Sequence, residues 1–300
     1  MLEALADLDL LVVLDVKRTA TAELADYVFG CKLSLEKPGT SRTAEPQLDV
    51  PFAQYTPVLV EPAFDVIEEW EFFWGLAHRM RMPLVLENGE SIDLDRKPKS
   101  DDYLDRTHAG ARIPLAEVRR HPGGRVFPPA DTERVQPGRA ERAALRMDVA
   151  PAAVVTQLRD IRREAFGTSG GFTHRLVSRR MMKVYNSTGA QLPSLRRRRP
   201  YNPAFMHPAD LAALGIIAGE VVRIESAHDF ILAIAEPATD LRPGVVSMAH
   251  AHGGVPERDG DVRRIGANTG RLVDTERDFE PISGMSRQSA IPVRIIPAAG

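Results

Sequence analysis

Four short runs rich in β-branched residues follow one another in the last third of the chain, and they constrain the fold more than any other feature. They read EVVRIES, FILAIAEPA, GVVSMAHA and AIPVRIIP, and turn-forming residues separate them. Strands of this length with tight connections favour a closed antiparallel or mixed barrel over a sandwich with long loops. We therefore predict a β-barrel in this part of the chain.

A short helix is predicted just before the first of these runs, in the segment HPADLAALGIIAGE. Pro208 suits the first turn of a helix, and Gly215 suits the left-handed position that ends one. Gly219 then turns the chain into the following strand.

The stretch from His174 to Pro200 has eight Arg or Lys residues and no acid, in a chain whose formal net charge is −2. Such a local excess of positive charge needs an anion, which is a phosphate, a nucleic acid or an acidic protein face. Within this stretch, the run Arg196 to Arg199 is more typical of a solvated surface than of a binding patch. The balanced overall charge and the lack of interleaved aromatic residues argue against nucleic acid.

The first 50 residues are typical of the end of an α/β unit. Leu8 to Val16 form a nearly continuous apolar run, as in a strand of a parallel sheet that is covered on both faces. Thr19 or Thr21 offers an N-cap for a short helix, and a second strand is expected to start at Tyr27 to Phe29. Because almost nothing precedes the first strand, we expect part of this domain to be missing.

Residues 51–169 are predicted to form a helical and irregular connection. Apolar residues recur at helical spacing from Phe64 to Ala77 and predict an amphipathic helix that ends near Met82. A short helix is expected at Leu115 to Arg119, and a longer one around Val154 to Ile161. The glycines at 167–171 mark the boundary of the last domain, which then comprises residues 170–300.

Composition excludes several classes of protein. One cysteine, Cys31, excludes an internal disulfide and any zinc or iron–sulfur site built from four cysteines of this chain, and we interpret it as a structural thiol. No apolar run is long enough to span a membrane. We expect a cytoplasmic protein.

Several segments in order resemble one family. The segments HPADLAALGIIAGEVVRIES, LRPGVVSMAHAHGG, GANTGRLV and EPISGMSRQSAIPVRI resemble the C-terminal dinucleotide-binding domain of the molybdopterin oxidoreductases, the dimethyl sulfoxide reductase family. The resemblance is close over residues 170–300, and the first 50 residues look like the end of the family's preceding α/β domain. It implies an α+β chain with a six-stranded double-psi barrel, and bis-molybdopterin guanine dinucleotide with Mo or W as the cofactor.

Candidate cofactor contacts follow from this resemblance and from the needs of pyrophosphate, which is bound by forked cations, amides and hydroxyls. Those candidates are Arg179, Arg180, Asn186, Ser187, Thr188, His207, Asp210, His250, Asn268 and Gln288. Two have plain structural alternatives, because His207 can cap the following helix and Asp210 can complement its dipole. His250 and His252 lack a third ligand in a credible position, which argues against a metal site there.

The function implied is that of the C-terminal portion of a molybdenum or tungsten oxidoreductase. The family's metal ligand and iron–sulfur motif lie in an N-terminal half, so we assign no catalytic or metal-binding residue here and expect no catalysis by this chain alone. The expected partner is that half of the same enzyme or a separate catalytic subunit. The alternative is a non-catalytic double-psi barrel module that recruits a partner protein through the Arg-rich loop.

Overall fold

The computed structural model describes residues 2–42, 44–129, 148–163, 170–182, 184–190, 192–197 and 199–298. The chain divides into two compact units, Met1–Ala143 and Ala144–Gly300. Within the described residues, no helix is both long enough and apolar enough to cross a membrane.

The first unit contains short helices and strands. In chain order they are α1 (Leu2–Ala6), β1 (Val12–Asp15), α2 (Ala20–Leu24), β2 (Tyr27–Gly30), β3 (Gly39–Thr40), a 3-10 turn (Glu45–Gln47), β4 (Phe52–Ala53), β5 (Tyr55–Thr56), α3 (Glu69–Met80), α4 (Ser100–Thr107), α5 (Leu115–Val118) and β6 (Arg125–Val126). Strands β1 and β2 are parallel, whereas β3 with β5 and β4 with β6 form small antiparallel pairs.

The predicted strand, short helix and second strand of the first 50 residues are present as β1, α2 and β2, whereas their place at the end of a larger α/β domain stays a prediction. Thr19 caps α2 through its side-chain oxygen, which accepts a hydrogen bond from the Ala22 backbone N–H. Strand β1 is only half-buried and β2 is exposed, so the predicted covering of both faces is wrong for the chain by itself. The physical reason is that the faces of a sheet are buried by layers packed on them, and the described residues leave both strands of this two-stranded sheet at least partly exposed. Cys31 is buried after β2, and burial raises the pKa of its thiol, as suits a structural residue.

The predicted aromatic helix is α3, and it begins later than its apolar spacing indicates. Glu68 and Glu71 form a capping box that starts the helix, which leaves Phe64 outside it and 81% exposed. At the other end, Arg81 takes a left-handed conformation and terminates α3 close to the predicted position. The helix contacts β2 through Phe72, whose ring centre lies 5.0 Å from that of Phe29.

The second unit contains the barrel. Its elements are α6 (Ala152–Arg163), β7 (His174–Arg179), α7 (Pro193–Arg196), β8 (Ala204–Met206), α8 (Pro208–Leu214), β9 (Val221–Glu225), β10 (Phe230–Pro237), β11 (Val245–Ala249), a 3-10 turn (Pro256–Asp261), α9 (Val262–Ile265), a second 3-10 turn (Thr269–Leu272) and β12 (Ile291–Pro297). Six strands close in the order β10-β8-β11-β7-β12-β9, which confirms the predicted closed barrel.

Pairing within the barrel is mixed. Strands β7 and β11 are parallel, as are β8 and β10, and the other four pairings are antiparallel. Side chains at alternate positions point inward and are removed from water, as in Val222 and Ile224 of β9. Because every strand has two neighbours, the core closes without an exposed sheet edge.

Helix α8 forms as the sequence predicts. It begins at Pro208 and ends at Gly215, which has φ 68° and ψ 26°. A side chain at this position would have to adopt the left-handed conformation, and glycine adopts it without a steric cost.

Candidate functional site

Two cavities lie at the end of the barrel where strands β7 and β11 finish. The first has a volume of about 610 Å³, and we call it the arginine cavity. Three cations, Arg179, Arg180 and Arg199, line it together with apolar groups such as Met181 and Leu195. A cavity of this composition suits a ligand with both negative charge and an apolar or planar surface.

The second cavity, which we call the polar cavity, has a volume of about 490 Å³. Its polar lining comes from four segments, because Ser178 lies near the end of β7, His250 follows β11, Asn268 precedes a 3-10 turn and Gln288 precedes β12. Thr269, Thr275 and Ser286 add hydroxyl groups. Amide and hydroxyl groups both donate and accept hydrogen bonds, so this cavity suits a neutral polar ligand or phosphate oxygens.

Arg180 joins the two cavities, since it lines both of them. Its Nη1 donates a hydrogen bond to Asn186 Oδ1, and His250 Nε2 lies 3.2 Å from the same oxygen. Asn186 has a φ of 55°, which places it in a turn where asparagine is one of the few side chains tolerated. The structure therefore brings together three predicted residues that are separated by up to 70 positions in the sequence.

A phenylalanine that the sequence analysis did not identify organises the arginine cavity. The guanidinium carbons of Arg179 and Arg199 lie 4.4 and 5.3 Å from the centre of the Phe205 ring. This geometry is that of a cation–π contact, and it holds both guanidinium groups beside one ring. Arg199 thus belongs to the cavity, whereas Arg196 and Arg197 line a separate shallow depression with Arg263 and Arg264.

Asn186 and four further predicted residues line neither cavity. Ser187 and Thr188 are exposed in the turn that follows Asn186. His207 Nδ1 accepts a hydrogen bond from the Ala209 backbone N–H and so caps α8, and Asp210 accepts one from the Gly244 backbone N–H. The structure gives His207 and Asp210 local structural contacts, and a direct cofactor contact for these five residues stays a prediction.

Burial lowers the pKa of two histidines of this unit, His174 and His252. Burial lowers the pKa of His252, which lines the arginine cavity. The hydrogen bond to the His250 carbonyl oxygen raises this pKa, and the nearby charge of His250 lowers it. Burial also lowers the pKa of His174, although Asp210 acts in the opposite direction. Burial therefore disfavours the charged form of these two histidines, whereas three arginines supply positive charge to the arginine cavity. Within the part of the chain that the structure describes, no group of three or more His, Cys, Asp or Glu side chains is arranged to hold a metal ion.

Five residues that line the cavities were not predicted from the sequence, namely Ser178, Phe205, Thr269, Thr275 and Ser286. Hydroxyl residues are too common in turns for their type to single them out, and Phe205 has the position of an ordinary barrel residue. Their shared signal is that each lies at or beside the end of a strand or turn, which becomes informative only when the strand order is known.

Residues 175–292 match the family model described as Molydopterin dinucleotide binding domain. The barrel of this chain is similar to such a domain. The match confirms the predicted resemblance to the C-terminal part of the molybdopterin oxidoreductases, and its limits enclose every residue of both cavities. A comparison with curated proteins finds no match to the chain.

The chain also has the fold of part of a solved enzyme, acetylene hydratase from Pelobacter acetylenicus. The two structures agree with a TM-score of 0.68 at 19% sequence identity, over 99% of this chain and 41% of that one. The chain thus spans less than half the length of the enzyme that it resembles. At this identity the similarity shows a common fold for the two proteins.

Proposed function

We propose that the chain is the C-terminal portion of a molybdopterin-dependent oxidoreductase, and that the linked cavities of its barrel bind molybdopterin guanine dinucleotide. The observation that carries the proposal is the position of Arg180, which lines both cavities inside the matched dinucleotide-binding domain and donates a hydrogen bond to Asn186. The two parallel pairings among six strands favour a barrel of the double-psi type, as the family resemblance implies.

The side chains present fit such a cofactor. A dinucleotide has a pyrophosphate that needs fixed cations and hydrogen-bond donors, and Arg179, Arg180 and Arg199 supply forked guanidinium groups. The amides and hydroxyls of the polar cavity offer donors and acceptors to the uncharged edges of the ligand. When bound, the cofactor supplies the redox chemistry of its Mo or W ion, while the residues of this chain bind and orient the organic part. The bis form of the cofactor follows from the family resemblance.

We propose that the rest of the enzyme, on the same or another chain, completes the first unit. Tyr27, Val28 and Phe29 of β2 are exposed, and adjacent exposed apolar side chains of this kind are typical of a surface that another protein segment covers. The 41% share of the solved enzyme's length is in accord with this proposal. A cytoplasmic location is part of the same proposal.

The second candidate function is recruitment of an acidic partner protein by a barrel that has no catalytic role. The observation in its favour is the shallow depression lined by Arg196, Arg197, Arg263 and Arg264, all of which are exposed. If the protein acts in this way, Arg196→Glu with Arg197→Glu abolishes association with that partner. In the favoured proposal the same double variant leaves nucleotide binding within about twofold of the unaltered chain, because exposed charges outside the site contribute little.

Calorimetric titration of the purified chain with GDP tests the favoured proposal, because GDP carries a guanine and a diphosphate. Arg180→Ala should weaken GDP binding by about tenfold or more, since a charge-assisted hydrogen bond to phosphate contributes about 1.5–3 kcal/mol. Arg242→Ala is the matched control, because Arg242 is exposed and precedes β11 at the other end of that strand. Equal affinities for the two variants would refute the assignment of the phosphate site.

A second measurement addresses the intact cofactor. The chain is produced together with the N-terminal half of the enzyme in cells that make molybdopterin, and the purified complex is analysed for metal, guanine nucleotide and fluorescent oxidised pterin. We expect all three. A stable complex that contains none of them would contradict the proposal.

A further inference from the structure

Asn202 is the most deeply buried polar side chain of the described barrel, with 1% of its surface exposed. It lies just before β8, beside Pro203 and Ala204, in a segment whose other side chains are largely apolar. A buried amide in such surroundings is costly unless all of its hydrogen-bonding groups have partners.

The amide of Asn202 makes three short hydrogen bonds to the backbone. Its Nδ2 donates to the carbonyl oxygens of Ala249 at 2.6 Å and of Ala267 at 2.9 Å. Its Oδ1 accepts from the Ala267 N–H at 2.7 Å. This set fixes the orientation of the amide, since two carbonyl oxygens can face only the NH₂ group.

The residues that these bonds hold come immediately before two residues of the polar cavity. Ala249 ends β11 and precedes His250, and Ala267 precedes Asn268. His250 and Asn268 both line the polar cavity. One side chain therefore connects the two turns that carry these residues, in addition to the backbone hydrogen bond that the Gly253 N–H donates to the Ile265 carbonyl oxygen.

Glycines at the same place show how closely the turns approach one another. A Cβ atom on Gly253 would lie closer than 3.0 Å to the Asn268 backbone nitrogen, and one on Gly266 would lie equally close to Asn202 Oδ1. Both glycines have positive φ, at 78° and 79°. The backbone of the turn after β11 thus packs against that of the turn after α9 at Gly253, and the Asn202 amide packs against the second turn at Gly266.

We propose that Asn202 is a positioning residue, which holds the His250 and Asn268 turns at the separation that nucleotide binding in the polar cavity requires. This role rests on the proposed function for its ligand, but the geometric part of it concerns the unliganded chain. An apolar residue at position 202 would fill the space but leave three backbone groups without partners, so the turns would move to recover them.

The test compares Asn202→Ala with Val246→Ala, a control that removes an apolar side chain of β11 which is completely buried in the barrel core. For each variant, amide hydrogen exchange by mass spectrometry measures opening of residues 250–254 and 266–270, and calorimetry measures GDP affinity. In Asn202→Ala we expect faster exchange in both turns and GDP binding weaker by about tenfold or more. In Val246→Ala we expect a lower thermal midpoint with GDP affinity within about threefold of the unaltered chain, because the turns keep their hydrogen bonds.

Unchanged exchange in the two turns of Asn202→Ala would overturn the proposal. An equal loss of GDP affinity in Val246→Ala at a matched thermal midpoint would also overturn it, because Asn202 would then act only through stability. If Asn202→Ala does not fold, hydrogen exchange in the unaltered chain tests the proposal. The Ala267 amide, which donates to Asn202, must then be among the slowly exchanging amides of the barrel, and fast exchange of this amide refutes the positioning role. If the unaltered chain does not bind GDP, the proposed function fails, and the exchange comparison still decides whether Asn202 holds the turns.

Discussion

Replacement of Gly266 by alanine should destabilise the barrel more than the same replacement at Gly219 or Gly260. Gly266 has φ 79° and ψ −164°, a region of backbone conformation that is essentially restricted to glycine. The added Cβ would also lie closer than 3.0 Å to Asn202 Oδ1 and about 3.0 Å from His252 Cβ. Backbone strain costs about 1–3 kcal/mol, and overpacking costs about as much again. We therefore expect a loss of about 2–6 kcal/mol in the free energy of unfolding.

Alanine replacement at two other glycines distinguishes the cost of backbone strain from the cost of overpacking. Gly219 has φ 85° with nothing within 4 Å of an added Cβ, so Gly219→Ala should show backbone strain alone, about 1–2 kcal/mol. Gly260 has neither a positive φ nor a close neighbour, so Gly260→Ala should change stability by less than about 0.5 kcal/mol.

Urea unfolding followed by far-UV circular dichroism measures the barrel transition. Both tryptophans of the chain, Trp70 and Trp74, lie in the first unit, so tryptophan fluorescence provides an internal reference that these variants should leave unchanged. If Gly266→Ala loses no more stability than Gly219→Ala, the packing of the two turns against Asn202 is not as described.

Three further predictions concern stability. Ile234→Ala should cost about 2–5 kcal/mol in urea unfolding, because Ile234 is 0% exposed, whereas Ile217→Ala, at 69% exposed, should cost less than about 0.5 kcal/mol. Burial lowers the pKa of His174, so the unfolded chain binds more protons; stability is full above the unfolded pKa of about 6.5 and falls as the pH drops below it. His174→Asn should flatten that dependence in thermal melts, and His228→Gln, which changes an exposed histidine, should not. Thr19→Ala should cost the first unit about 1 kcal/mol, measured by tryptophan fluorescence, because it removes the α2 cap.

Local patterns were sufficient for the elements and much of the barrel. The start and end of α8 follow from Pro208 and Gly215, whose backbone preferences hold in almost any surroundings. The start of α3 did not follow from apolar spacing, because the capping box of Glu68 and Glu71 acts within one turn and excludes Phe64. The prediction that both faces of β1 are covered failed because burial depends on what packs against a strand, which its own residues do not specify.

The candidate site was predictable only in part. The cations and amides at 179–186 stand out because their positive charge has no acidic counterpart nearby in the sequence. His207 and Asp210 match the same family pattern, yet in the structure His207 caps α8 and Asp210 accepts a hydrogen bond from the Gly244 backbone N–H. Residue type and position in a motif do not distinguish a side chain that faces a ligand from one that supports the turn beside it.

The sequence by itself determined that this chain has a barrel of short strands, a cation-rich segment and a resemblance to a dinucleotide-binding family. These properties depend on local backbone preference, periodicity and net charge, all of which follow from the order of the residues in the chain. Only the tertiary structure decided that Arg180, Asn186 and His250 meet, that Phe205 lies beside two arginines, and that Asn202 connects two distant turns. The reason is that strand order in a closed barrel sets which turns are neighbours, and that order is a property of the whole domain.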